Sequence, residues 1–260
     1  QPYLSRSDVA VHLASRVHNM RGSATLAAYR ESNVEAARHL VEEAIRAKVK
    51  RLVFVSTVKV NGEETSERPF TGDQTPAPED MYAQSKLEAE SEIFRLAKGS
   101  SLEVVVLRPP LVYGPGVRAN FLNLLRLVSG RWPLPFGSVC NRRSLIHVDN
   151  LVDAIIVAAT SETAINRVFT VSDDGAVSTP DLMKKLSDGM GRKSKLVPFP
   201  VFALRVFGRL FGISQQVSRL IVSLEADNSM FKAETGWRPL KTTDEGLRET
   251  VTWFMKQQRQ

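Results

Sequence analysis

Three short runs rich in β-branched residues, 8–13, 51–56 and 103–108, limit what this chain can become. Each places apolar residues at consecutive rather than alternate positions, the pattern of a strand covered on both faces of a parallel sheet. Parallel neighbours need a crossover, and the stretches between the runs supply one. Residues 33–47 set Val34, Ala37, Leu40, Val41, Ala44 and Ile45 at helical spacing, and 81–97 do the same with Leu87, Ala89, Ile93, Phe94 and Leu96. Strands alternating with helices predict a doubly wound α/β sheet.

After Gly116 the pattern changes. A helix is expected from Ala119 to Val128, stopped at Gly130 and followed by the rigid Trp132-Pro133-Leu134-Pro135 loop. A strand over 143–148 should lead into a helix capped by Asp149 or Asn150 and running through Ala159. Arg167–Ser172 reads as one more sheet strand. From Ser178 onward, short helices and loops rich in Pro, Gly and Arg suggest a smaller lobe. The final helix, Asp244–Lys256, should bury Leu247, Val251 and Phe254.

With 260 residues and 43% apolar content the chain can bury a sizeable core. Its formal charge of +7 is scattered, without a run of five or six basic residues, so an anionic small ligand is favoured over nucleic acid. The single cysteine, Cys140, excludes an internal disulfide and fits a reducing, cytoplasmic compartment. One Cys and four scattered His offer no zinc set. Neither a Gly-x-Ser-x-Gly elbow nor a Gly-rich Lys-Ser/Thr loop occurs, so hydrolase and NTPase readings fail. The most membrane-like stretch, Leu196–Ile213, is interrupted by Arg205 and Arg209 and broken at Pro198 and Pro200, too short and too charged to span a bilayer. An amphipathic helix over the active site is the plain reading of it, and docking on a membrane surface is the alternative.

Chemistry concentrates between the second and third runs. Thr57 ends the apolar stretch Leu52–Ser56, and 25 residues on, Tyr82 and Lys86 stand one helical turn apart. Residues at i and i+4 share a helix face, so the ammonium is expected to lower the Tyr82 pKa and ready the phenol for proton transfer. Thr57 can hydrogen-bond the same substrate oxygen. Ser56 alternates away from it and reads as structural.

At these residues the chain resembles the extended short-chain dehydrogenase/reductase family, in its NAD-dependent nucleotide-sugar epimerase/dehydratase branch. The resemblance runs in order through Asp8–Ala14, Asn33-Val34, Ser56-Thr57, Tyr82/Lys86, Leu107–Gly116, Arg143–Asp149 and Gly236–Pro239. Within the branch, Val58–Gly62 through Arg142–Ser144 look most like bacterial enzymes that epimerise or reduce UDP-N-acetyl-hexosamines for surface polysaccharide. It implies a Rossmann-like sheet, NAD or NADP as cofactor, a UDP-sugar as substrate, no metal and, compatibly, a homodimer. Thr57, Tyr82 and Lys86 would be catalytic. Leu13, Ala14, Ser15, Asn33, Pro109 and Pro110, with Tyr82 and Lys86, would contact the cofactor. Lys59, Asn120, Arg143 and Arg219, with Thr57, would hold the substrate, and Asn61 would line the sugar pocket. His12 would be packed rather than catalytic. Pro110 and Leu111 would occupy the turn beside the nicotinamide, and Leu111 stands where the family often carries an asparagine near the sugar diphosphate.

The family opens with a strand, a glycine-rich turn and a helix, and no such sequence occurs here. About 60 residues would supply it, so the chain is expected to be a piece of a longer protein, with the edge of its first strand open and weak dinucleotide binding on its own. Residues 1–116 and 143–172 would form the partial dinucleotide-binding domain, and 117–142 and 173–260 the substrate lobe. Two other readings stay open at this point, a reductase of a non-sugar alcohol and a non-catalytic nucleotide-binding relative.

Overall fold

The computed structural model describes residues 4–16, 25–130 and 132–258. Its strands are β1 (Val9–His12), β2 (Arg51–Val55), β3 (Glu103–Arg108), β4 (Leu111–Tyr113), β5 (Leu145–His147) and β6 (Arg167–Thr170). Four of them form a parallel sheet in the order β1-β2-β3-β6, while β4 and β5 form a separate parallel pair. Register lines Val11 against Val53, Val53 against Val105, and Leu107 against Phe169.

Why this sheet forms follows from the alternation of side chains along each strand. Leu52, Phe54, Val104 and Val106 face one side, against helices α2 (Ala36–Arg46) and α3 (Met81–Ala97) through Val41, Ala44, Ala89 and Ile93. Val53, Val105, Leu107 and Phe169 face the other, against Leu151, Ala154 and Ala158 of α5 (Val148–Thr160). A strand covered on both faces has no polar position to spare, hence the unbroken apolar runs. β1 is a terminal strand of the sheet, and Val11 and Leu13 are exposed on it and just after it.

Ahead of α2 the helix begins earlier than its apolar spacing suggests. α1 (Leu26–Arg30), capped by Thr25, runs through a π-helical segment Glu31–Glu35 directly into α2. The π turn shifts the helical phase, which hides the continuity from a periodicity count.

A third apolar cluster gathers α4 (Ala119–Ser129), α6 (Thr179–Gly189), α7 (Val201–Leu210), α8 (Ser214–Ile221) and α10 (Thr243–Gln257) around Phe121, Leu125, Met183, Leu186 and Val251. α10 begins with a full capping box between Thr242 and Glu245. The short α9 (Ser229–Thr235) ends at Gly236 in the left-handed region, φ 73°, where a side chain would be strained.

Three local expectations are corrected. The strand expected over 143–148 is confined to 145–147, because Arg143 pairs with Val177 and Leu224 in isolated bridges instead. The cap of α5 is His147, whose Nδ1 accepts from the Asp149 amide at 3.3 Å, and Asn150 is spent on Asp173 and the Lys241 backbone. Leu111, expected in a turn, begins β4. No helix among the described residues is long and apolar enough to cross a membrane.

Candidate active site

The carboxyl ends of β1, β2 and β3 open on one side of the sheet, where ligands of open α/β folds bind. From β1 the chain continues through exposed Leu13 and Ala14 to half-buried Ser15. From β2 it continues through Ser56 to Thr57. From β3 it enters buried Pro109 and Pro110, and the Pro109 carbonyl accepts from the Val58 amide at 3.0 Å, tying the last two ends together. Thr57 sits in extended geometry with its hydroxyl accepting from the Lys59 amide.

Helix α3 delivers Tyr82 and Lys86 to this side. Asp80 caps it, accepting from Ala83 at 2.7 Å, so the helix starts one residue before the tyrosine. Lys86 is buried, with Nζ donating to the Val55 carbonyl at 2.8 Å and lying 3.8 Å from the centre of the Phe54 ring. Burial brings its ammonium down to about 8, with Glu90 opposing.

The phenol does not follow the expectation of a lowered pKa. Burial pushes Tyr82 up to about 12, Asp80 and Tyr29 add to the rise, and a hydrogen bond with Ser15 opposes it. The reason is orientation. Lys86 spends its charge on a backbone carbonyl and an aromatic face, and desolvation of the phenolate is the larger effect.

Asn33, expected at the cofactor, is fully engaged within the protein. Its Oδ1 accepts from the Arg16 amide at 2.8 Å and from the Ser15 hydroxyl at 3.2 Å, and its Nδ2 donates to Ser85 Oγ at 2.8 Å. Ser85 in turn donates to the Tyr82 carbonyl at 2.8 Å. Asn33 therefore fixes the loop after β1 against the helix that carries the tyrosine. Ser85 was not foreseen, because its partner lies 52 residues away and only the fold brings them together. Asp80 could have been found, as an N-cap type just ahead of a helical run.

His12 stacks on Phe54 at 5.4 Å between ring centres, and burial, then Lys86, bring its imidazole down to about 4. It is neutral and packed, yet among the described residues its Nε2 has no hydrogen-bond partner, and neither has the buried Ser56 hydroxyl.

The substrate-side candidates form a second group. Arg219 donates to Asn120 Oδ1 at 3.1 Å, joining α8 to the start of α4. Arg143 donates to the Val222 carbonyl at 3.0 Å. Burial brings its guanidinium down to about 10, with Glu63 opposing and nearby Arg219 adding to the fall. Lys59 is ion-paired with Glu63 at 2.5 Å and with Asp80. Asn61 holds the Thr71 carbonyl and accepts from Arg108, which fixes it in the scaffold below the site. Contacts thus run from the cap of α3 through Lys59 to Glu63, and separately from Arg219 to Asn120, while Glu63 and Arg219 both act on the Arg143 charge through space. Two guanidinium groups in mutual repulsion suit a ligand with two negative charges.

Elsewhere, His147, Asp149 and Glu249 bring ligand atoms within 4.8 Å of one another, but the Lys241 ammonium already joins Asp149, at 2.6 Å, to Glu249.

Comparison with known proteins agrees with this architecture. The profile of the NAD dependent epimerase/dehydratase family matches residues 2–172. A UDP-glucose 4-epimerase from Vibrio cholerae is 44% identical over 97% of this chain and 78% of its own length. Two solved structures share the fold, each at TM-score 0.77. UDP-glucuronic acid 4-epimerase from Bacillus cereus, in complex with NAD, is 20% identical over 98% of this chain and 77% of its own. UDP-glucose 4-epimerase from Thermotoga maritima, with UDP-glucose, is 23% identical over 99% and 82%. With the parallel sheet, the tyrosine–lysine helix and the profile match in agreement, the chain belongs to the NAD dependent epimerase/dehydratase family and is an enzyme of the extended short-chain dehydrogenase/reductase type.

Proposed function

We propose that the protein interconverts UDP-hexoses at ring C4, or reduces a 4-keto form of them to the C4 alcohol, with a UDP-N-acetyl-hexosamine as the sugar nucleotide. One observation carries the reading. Lys59 ties the cap of the helix presenting Tyr82 to Glu63, and Glu63 and Arg219 both lie near enough to Arg143 to act on its charge, with Arg219 bonded to Asn120. This proximity supports a proton-transfer site and an anion clamp in one cleft. The 44% identity to a protein named UDP-glucose 4-epimerase supports the same chemistry.

The nicotinamide end of a dinucleotide fits the residues present. Unpartnered His12 Nε2 and Ser56 Oγ, exposed Ala14, and a lysine whose one hydrogen bond leaves donors to spare surround the strand ends. NAD(P) would be held there by Leu13–Ser15, Pro109, Pro110 and Lys86. When bound it supplies a hydride acceptor and donor. Tyr82 exchanges a proton with the sugar hydroxyl, and Thr57 hydrogen-bonds the same oxygen. Lys86 releases the Val55 carbonyl and turns toward the phenol, bringing the cation that a phenol near 12 requires before it can serve as a base. Arg143 and Arg219 hold the diphosphate. In this reading residues 1–116 and 143–172 serve the dinucleotide and 117–142 with 173–260 serve the sugar nucleotide.

The test is incubation of the protein with NAD and either UDP-N-acetylglucosamine or UDP-glucose, followed by NMR of the anomeric region. Appearance of the C4 epimer without net change in NADH absorbance is expected of an epimerase. Consumption of NAD(P)H with a 4-keto sugar marks a reductase. No conversion of any UDP-hexose under either regime removes the proposal.

A further inference from the structure

Helix α7 turns its apolar residues the wrong way for a helix that belongs only to the core. Leu204 and Gly208 face inward, while Phe202, Val206 and Leu210 form an i, i+4, i+8 stripe open to solvent, at 72, 51 and 74% exposure. Phe211, 70% exposed, stacks on Phe207, which in turn meets Phe199. Arg205 and Arg209 border the stripe. The neighbouring α8 behaves normally, presenting Ser214, Gln215, Gln216 and Ser218 outward. α5 exposes Val152 and Ile156, but the α7 stripe is longer, more exposed and extended by Phe207 and Phe211.

Two further features adjoin it. The segment leading into α7 runs beside the Trp132 loop, with Leu134 bridging Leu196 and Gly137 bonding Val197. There Trp132, 82% exposed, lines a cavity of about 530 Å³ together with Arg192, Lys193 and Lys195. From Gly189 through Leu224 the chain has six Arg or Lys and no Asp or Glu. A short helix with exposed Phe and Leu, flanking arginines and an exposed tryptophan has the composition of an element lying in a bilayer interface.

We propose that this face, α7 with the Trp132 loop and the 192–195 segment, docks the enzyme on an anionic lipid bilayer. A second copy of the chain is the poorer occupant, because a two-fold contact would set Arg205 and Arg209 against themselves. An anionic leaflet instead attracts the cations that border this face, Arg192, Lys193, Lys195, Arg205 and Arg209, each adding about fivefold to partitioning.

Sedimentation with vesicles tests this directly, without substrate or cofactor, so its outcome is independent of whether UDP-hexoses are turned over. Binding is expected to phosphatidylcholine vesicles containing about one third phosphatidylglycerol, to weaken with salt, and to be far lower on phosphatidylcholine alone. Trp132 emission should shift to the blue on binding, and W132F should abolish the shift. The double variants F202S/L210S and R205E/R209E alter only exposed side chains, and each should weaken binding at least about tenfold. Circular dichroism and activity on soluble substrate should stay unchanged. Failure of the wild type to bind anionic vesicles overturns the proposal, as does equal binding of F202S/L210S. So does a dimer that F202S/L210S converts to monomer while vesicle binding persists, which would assign the face to contacts between copies.

Discussion

Tyr82, half-buried, and Tyr113, buried, both have phenol pKa values raised by desolvation, and they differ in what surrounds the hydroxyl. Tyr113 donates to Asp173 Oδ2 at 2.8 Å and lies 3.3 Å from the Thr243 carbonyl, and this carboxylate drives its pKa further upward. Asp173 also accepts from the His147 amide and the Asn150 side chain, so the hydroxyl belongs to a satisfied knot between β4, β5 and α10. Tyr82 instead meets Ser15, with Lys86 one turn away on its own helix. A phenol held by an anion keeps its proton, whereas one near a neutral hydroxyl and a cation on its own helix is better placed to give it up. On this contrast rests the proposal that Tyr82 is the working tyrosine and Tyr113 a structural one.

The sharpest way to break this contrast is to remove each hydroxyl in turn. Tyr82→Phe should lower kcat by roughly 10²–10⁴-fold while moving the thermal midpoint little, since the structural loss is the hydrogen bond with Ser15. Steady-state kinetics with matched calorimetry checks both halves. A Tyr82→Phe enzyme with near-native kcat would end the assignment.

Lys86 supplies the next effect, in pH dependence. Its pKa falls from an ordinary 10.5 unfolded to about 8 folded, so between those values the unfolded chain binds the extra proton. Stability must therefore rise as pH climbs through that window, and the cost of a buried ammonium is fully present below it. Lys86→Met should remove the rise. Urea denaturation at a series of pH values reads the slope directly.

How much of this was open to inspection in the sequence depends on how local each cause is. The sheet was legible because β2 and β3 are covered on both faces, which leaves continuous apolar runs. Helix α3 was legible because its apolar spacing is regular from Leu87 to Leu96. The direction of Lys86 was not, since its acceptor is the Val55 carbonyl 31 residues upstream. The bonds of Asn33 were hidden for the same reason, with partners at Ser15, Arg16 and Ser85 that only the folded chain assembles. β5 was legible with longer bounds, whereas its partner β4, three residues long, is below what periodicity can detect.

On the Tyr113 side the contrast can be tested through packing. Gly246, in α10, lets the helix approach so closely that a Cβ there would stand 2.6 Å from the Tyr113 hydroxyl and 2.8 Å from the His147 ring. Neither neighbour can retreat without breaking the Asp173 knot. Gly246→Ala should cost about 1–3 kcal/mol or more, although alanine is the better helix former. A more stable variant would show that the knot is loose.

Tyr113→Phe is the mildest and most specific probe. It leaves the ring stacked 5.3 Å from Phe121 and takes away one of three donors to a buried carboxylate. About 1–3 kcal/mol should be lost, with kcat nearly unchanged. Burial already raises the Asp173 pKa, and Tyr113 is among the groups that hold it down. Without the hydroxyl the folded value rises further above the unfolded one. Over that interval the native state holds the additional proton, so stability falls as pH increases. The deficit of Tyr113→Phe should consequently widen from acid to neutral pH. A deficit that is flat with pH would mean that Asp173 does not feel the phenol, and the two tyrosines would then differ in position alone.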